Sequence, residues 1–132
     1  MTTSMAFGSF DILHEGHINY LKQAKKFGRL VVIVARNSNI MSFKGRKPRN
    51  DENQRLKKVK ELDFVDEAVL GKENIFDVLD EYRPDVICLG YDQSTASEEK
   101  INEELEKRNL KAKIVRCKAF NPEIYKSSKM RD

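Results

Sequence analysis

Two apolar periods alternate along the chain. Residues 2–7 read as a short strand. Ile18, Leu21, Ala24 and Phe27 then recur at three-residue steps, which places them on one face of a helix. Gly28 stands where a residue in a left-handed conformation would end that helix. Leu30-Val31-Val32-Ile33-Val34-Ala35 is continuously apolar, the pattern of a strand buried on both faces. Residues 37–50 are polar and basic, include Gly45 and Pro48, and are expected to form a loop. Asn50 or Asp51 can cap a helix running to about Leu62, with Leu56 and Val59 turned inward.

The alternation continues to the end of the chain. Residues 68–70 predict a short strand, and Asn74 can cap a helix over 75–82. Residues 86–89 follow Pro84 as another buried strand, which Gly90 ends. Ser97 can cap a helix through Arg108, with Ile101 and Leu105 inward, and a last strand lies near 113–117. Strands that alternate with helices of about 8–12 residues predict an α/β fold. The expected form is a doubly wound parallel five-stranded sheet with helices on both faces and right-handed crossovers. In such sheets ligands bind at the carboxyl ends of the strands, where the winding reverses. The residues just after Phe7, Ala35 and Leu89 are therefore the first places to look for chemistry.

Composition narrows the class. A chain of 132 residues with 39% hydrophobic residues suits a single domain over 1–132. No apolar run approaches the roughly 20 residues that a membrane helix needs. Residues 1–20 or so lack the basic and apolar regions of a signal peptide. Two cysteines, Cys88 and Cys117, make no disulfide framework, so the expected compartment is the cytoplasm. Cys88 reads as a small core residue, whereas Cys117 ends a strand where it could lie near a site.

The net charge of +4 is unevenly spread. Residues 1–60 carry 13 Lys/Arg against 4 Asp/Glu, residues 61–110 carry 5 against 15, and residues 111–132 carry 7 against 2. Basic ends around an acidic middle point to an anionic ligand held by the two ends of the chain. The basic segments lack the interleaved aromatics that base stacking would use, which argues against nucleic acid as the partner.

The densest chemistry follows the first strand. Gly8-Ser9-Phe10-Asp11 leads into His14-Glu15-Gly16-His17 at the start of the first helix. These are the only two histidines, three residues apart, where a helix N-terminus offers free N–H groups to a phosphate. No third cysteine or histidine lies nearby to complete a zinc site. The pair of motifs resembles the HxGH signature of the cytidylyltransferase-like nucleotidyltransferases, Rossmann-like relatives of the class I aminoacyl-tRNA synthetases. The resemblance extends through Lys44-Gly45-Arg46-Lys47-Pro48, Glu52-Asn53-Gln54-Arg55, residues 65–71 and Leu89-Gly90-Tyr91-Asp92-Gln93. Within the family, the Lys44 and Leu89 blocks are most similar to the archaeal branch that adenylates FMN.

The resemblance implies transfer of AMP from ATP to the phosphate of FMN, with pyrophosphate released. It implies catalytic roles for His14, His17 and Lys44. Nucleotide binding would fall to Gly8, Ser9, Phe10, Gly90, Asp92, Ser127, Ser128 and Lys129, together with the two histidines. Arg46 and Arg116 are further candidates for phosphate. Asp11 is expected to fix the loop, and Arg55 could face either the site or solvent. The C-terminal block departs from the family at Tyr125, where an apolar residue is usual, and at Lys126, where a serine is usual. A divalent metal, Mg2+, would be held by nucleotide phosphates with no side-chain ligand, and a homodimer is expected. Three alternatives stay open: CTP-dependent transfer to glycerol 3-phosphate or another polyol phosphate, adenylyl transfer to a sugar phosphate of the lipopolysaccharide-core type, and a non-catalytic nucleotide-binding protein.

Overall fold

The computed structural model describes residues 2–90 and 95–118, without the side chains of 42–44 and 95–97. Five strands, β1 (Thr3–Gly8), β2 (Arg29–Val34), β3 (Glu67–Leu70), β4 (Val86–Leu89) and β5 (Lys113–Arg116), form one sheet. Every pairing is parallel and the order is β3-β2-β1-β4-β5. The winding therefore runs outward from β1 in one direction and then restarts at β4 on its other side. The topological switch point lies between the carboxyl ends of β1 and β4.

Helices cover both faces, as the periodicity predicts. On one face α1 (Glu15–Lys25) and α3 (Glu52–Lys60) send Leu21, Ala24 and Val59 onto Ala6, Leu30, Val32, Val34 and Cys88. On the other, α4 (Val78–Tyr82) and α5 (Thr95–Lys107) send Val78, Leu79, Ile101 and Leu105 onto Met5, Val31, Ile33, Ile87 and Leu89. Neighbouring strand residues divide between the two cores because the side-chain period of a strand is two. That division explains the continuous apolar runs of β2 and β4.

Several boundaries differ from expectation. Residues 37–50 are not all loop, because α2 (Asn37–Lys44) occupies the first half. Its first N–H, on Asn37, donates to the Glu52 carboxylate at 2.8 Å, and Ile40 is buried. A distant acid thus caps a helix that has no side-chain cap of its own. Lys44 accordingly ends a helix rather than lying in a loop. The expected helix over 75–82 is a 3-10 turn, Ile75–Asp77, followed by α4; Asn74 caps it by accepting from Phe76 N–H at 3.1 Å. α5 begins at Thr95, ahead of Ser97. Phe27 lies beyond α1 and is 37% exposed, so it is not a core residue. Gly28 has φ +148°, outside the left-handed helical well but still a glycine conformation. A Cβ there would stand 2.2 Å from Thr2 O.

Arg108, just past α5, ties the second face together. Its guanidinium bonds the carboxylates of Glu104, Asp80 (2.9 Å) and Asp77 (3.1 Å). Glu104 also pairs with Lys100 at 3.3 Å. These bonds, Arg108 first, pull the Glu104 carboxyl down to a pKa of about 2.

Candidate active site

The turn from β1 into α1 is built from the inside out. Phe10 is 2% exposed and has φ +52°, a left-handed conformation that is costly for a bulky residue. It turns the ring back under the strand. A Cβ on Gly8 would meet Phe10 Cζ at 2.7 Å, so glycine is required there by the ring beneath it. Phe10 is thus an internal prop for the turn. The ring also meets His17 edge-on, with centroids 5.3 Å apart.

The two histidines form the N-terminal cap of α1. His14 is the N-cap residue, and its Nδ1 accepts the Gly16 N–H at 3.1 Å. His17, three residues on, accepts the His14 N–H through its own Nδ1 at 3.4 Å. This is a capping box in which imidazoles replace the usual Ser/Thr and Glu/Gln. The rings stack with centroids 3.8 Å apart and planes 21° from parallel. Because each Nδ1 accepts, each neutral ring carries its proton on Nε2. The cap therefore turns both histidines into Nε2–H donors. His14 Nε2 is also shielded from bulk water, which strengthens electrostatic interaction with an anion.

A second layer holds this turn in place. Asp11 is 5% exposed and accepts the N–H groups of Arg49 and Asn50, each at 2.7 Å. It fixes the loop, as the resemblance implies. Arg55 is fully buried and does not face solvent. Its Nη1 donates to the carbonyls of Ser9 (2.8 Å) and Ala35 (2.7 Å), its Nε to Asn50 O (3.0 Å) and its Nη2 to Asn37 Oδ1 (2.7 Å). One guanidinium thereby ties together the carboxyl ends of β1 and β2 and the loop before α3. Burial lowers its pKa from the usual value, opposed by the carboxylates of Asp11, Glu52 and Asp51. The sequence carried a signal for this role: Arg55 lies one turn before Val59, on the inward face of α3.

Across the switch point stands Gly90, directly after β4. Arg116 Nη1 donates to its carbonyl at 3.0 Å, and Nη2 pairs with Glu98 at 3.3 Å. Arg116 is thus placed at the rim beside Gly90. Arg46 lies in the exposed segment after α2. The Lys44 side chain and all of Asp92, Ser127, Ser128 and Lys129 lie outside the described residues. Cys117 is buried against Cys88, and its interaction with that thiol, together with burial, pushes its pKa up. Cys117 and Cys88 are thus packed thiols of the same core.

Comparison with known proteins finds relatives of this chain. Residues 5–132 match the family model described as Cytidylyltransferase-like. A relative from Methanothermus fervidus called FAD synthase is 50% identical over 121 residues, covering 88% of this chain and 82% of its own. The FAD synthase of Thermoplasma volcanium is 44% identical over 133 residues, covering 99% of this chain and 92% of its own. A crystal structure from Thermoplasma volcanium, described as a lipopolysaccharide core biosynthesis protein, superposes with a TM-score of 0.85 at 44% identity. It covers 92% of this chain and 99% of that one.

Proposed function

This chain belongs to the cytidylyltransferase-like family, and from that premise we infer that it transfers AMP from ATP to the phosphate of FMN, giving FAD and pyrophosphate. The observation that carries the reading is the double-imidazole cap at the switch point, in a chain half identical to FAD synthase over 121 residues. An FMN phosphate oxygen attacks the α-phosphorus of ATP, and the bond to the leaving pyrophosphate breaks. That oxygen is already anionic at neutral pH, so no strong base is needed. The barrier is the approach of two anions and the negative charge that grows on the α-phosphate and pyrophosphate.

The residues answer that barrier with fixed donors. His14 and His17 donate Nε2–H bonds to the triphosphate, and neither needs to be protonated to do so. The positive end of α1 adds to their effect. The backbone of Gly8, Ser9 and Phe10 lets the nucleotide approach closely. Gly90 and Asp92 receive the base and ribose. Ser127, Ser128 and Lys129 hold the outer phosphates, and Lys44, Arg46 and Arg116 the remaining phosphate charge.

Among the described residues no three His, Cys, Asp or Glu side chains could hold a metal ion. Both oxygens of Asp11, three residues before His14, are taken by backbone N–H groups. In this reading a Mg2+ ion would be carried by the nucleotide's phosphates. The same reading includes a homodimer acting in the cytoplasm on small molecules rather than nucleic acid. No helix among the described residues is long and apolar enough to cross a membrane.

The test is a grid of ATP and CTP against FMN, glycerol 3-phosphate and a heptose phosphate, read by pyrophosphate release. ATP with FMN is expected to be the productive pair. Release only with a sugar phosphate would instead favour the role named for the solved Thermoplasma relative. Gel filtration showing a monomer would remove the dimer.

A further inference from the structure

The pairing of β1 with its two neighbours is unequal. With β2 it runs to Gly8↔Val34, and Ala35 N–H still donates to Gly8 O at 2.9 Å. With β4 it stops at Ala6↔Cys88, although β1 continues to Gly8 and β4 to Leu89. β4 meanwhile stays paired with β5 through Leu89↔Arg116, and Cys117 N–H donates to Leu89 O at 2.8 Å. The sheet therefore parts on one line only, between β1 and β4, where the winding reverses.

The last rung before that parting is held by a side chain. The Tyr20 hydroxyl donates to Cys88 O at 2.6 Å and accepts from Phe7 N–H at 3.3 Å. A hydroxyl has one hydrogen, and the short contact to Cys88 takes it. Tyr20 belongs to α1 and lies three residues after His17, so it shares a face with that histidine one turn away. Three elements meet at one oxygen: the strand that leads into the Gly8 turn, the strand that leads to Gly90, and the helix that carries both imidazoles. Gln23, the next residue on that face, accepts from Lys118 N–H at 2.8 Å and donates to Lys118 O at 3.0 Å. α1 is thereby tied to the exit of β5 as well.

We propose that Tyr20 is a positioning residue for nucleotidyl transfer: its hydroxyl sets the place of the histidine-bearing helix relative to the two walls of the nucleotide crevice. The inference rests on the reading of that crevice as the nucleotidyl-transfer site. The phenol is suited to the role because it reaches from a helix surface to the backbone of two strands and offers both a donor and an acceptor. Leucine at this position could pack against the same core but could not hold a register between helix and strand ends.

The test compares wild type, Tyr20→Phe, His17→Ala and the double variant, by pyrophosphate release from ATP and FMN and by thermal unfolding. Tyr20→Phe keeps the ring and leaves no cavity. It is expected to lower kcat about tenfold, since a misplacement of about 1 Å can cost ~10² in rate. KM for ATP should stay within about threefold, because the ends of β1 and β4 remain held by their pairing with β2 and β5. In the His17→Ala background the further loss should be clearly smaller than in wild type, because one of the two imidazoles being positioned is gone. Wild-type kinetics in Tyr20→Phe, or an equal factor in both backgrounds, would overturn the proposal. A second arm needs no substrate: in a crystal structure of Tyr20→Phe the His17 imidazole is expected to move relative to Cys88 O by more than about 0.5 Å. An unmoved imidazole overturns the proposal whatever the substrate. If wild type fails with ATP and FMN, the functional reading falls, while the crystal structure still decides the role of Tyr20.

Discussion

Replacing Arg55 by lysine isolates what the buried guanidinium does for the site. The charge is kept and the stem is nearly kept, but the planar fork is lost. Arginine reaches four acceptors from three nitrogens: Asn50 O, Ser9 O, Ala35 O and Asn37 Oδ1. A lysine ammonium sits at one point and can serve at best the pair that Nη1 now serves, Ser9 and Ala35. The bonds to Asn50 and Asn37 go. A hydrogen bond to a charged group contributes about 1.5–3 kcal/mol, so two of them set a loss of about 3 kcal/mol or more. At roughly 4 °C per kcal/mol for a domain of this size, Tm should fall by about 12 °C. Activity should fall as well. Asn50 also donates through its side chain to Asp11 O, so releasing it loosens the loop that carries the histidine cap. We expect kcat about tenfold lower at a temperature where the variant is folded. Urea unfolding and pyrophosphate release measure the two effects. A variant within about 0.5 kcal/mol and twofold of wild type would show that the guanidinium network does not organise the turn.

Two further substitutions separate structure from chemistry. Glutamine is a usual third residue of a capping box, so His17→Gln should keep the bond to His14 N–H and hold stability within about 0.5 kcal/mol. It should still lower kcat by at least ~10², the cost of a fixed transition-state donor; near-normal turnover would refute the role of His17. Glu104 bears on acid stability. Its folded pKa, about 2, lies below its ordinary value of 4.5, so its contribution is present above pH 4.5 and is lost as pH falls from there towards 2. Glu104→Gln should therefore flatten the loss of stability across that window, measured as urea midpoints at pH 6 and pH 3. An unchanged pH profile would refute the assignment.

The legible parts of this protein are those written in local pattern. Continuous apolar runs marked β2 and β4 as doubly buried strands, and Asp51 and Asn74 marked helix starts that the structure keeps. Gly8 and the histidine pair marked the turn at the carboxyl end of β1. These readings succeed because side-chain period and capping chemistry act within a few residues. The extent of α2 and the exposure of Phe27 were not legible in this way, because a distant Glu52 and the end of α1 decide them.

The sequence by itself determined the alternation of strands and helices, the division of apolar residues between two faces, and the identity of the chemical groups at the first turn. Tertiary structure alone decided the strand order, the parting of β1 from β4, and what the long polar side chains bind. Arg55 reaches Ser9 across 46 residues and Tyr20 reaches Cys88 across 68. An arginine or tyrosine on a helix carries the same local signal whether its polar end meets water or a buried carbonyl. Only the closing of the sheet brings those carbonyls within bonding distance, and with them the register and rigidity that hold the two histidines in place.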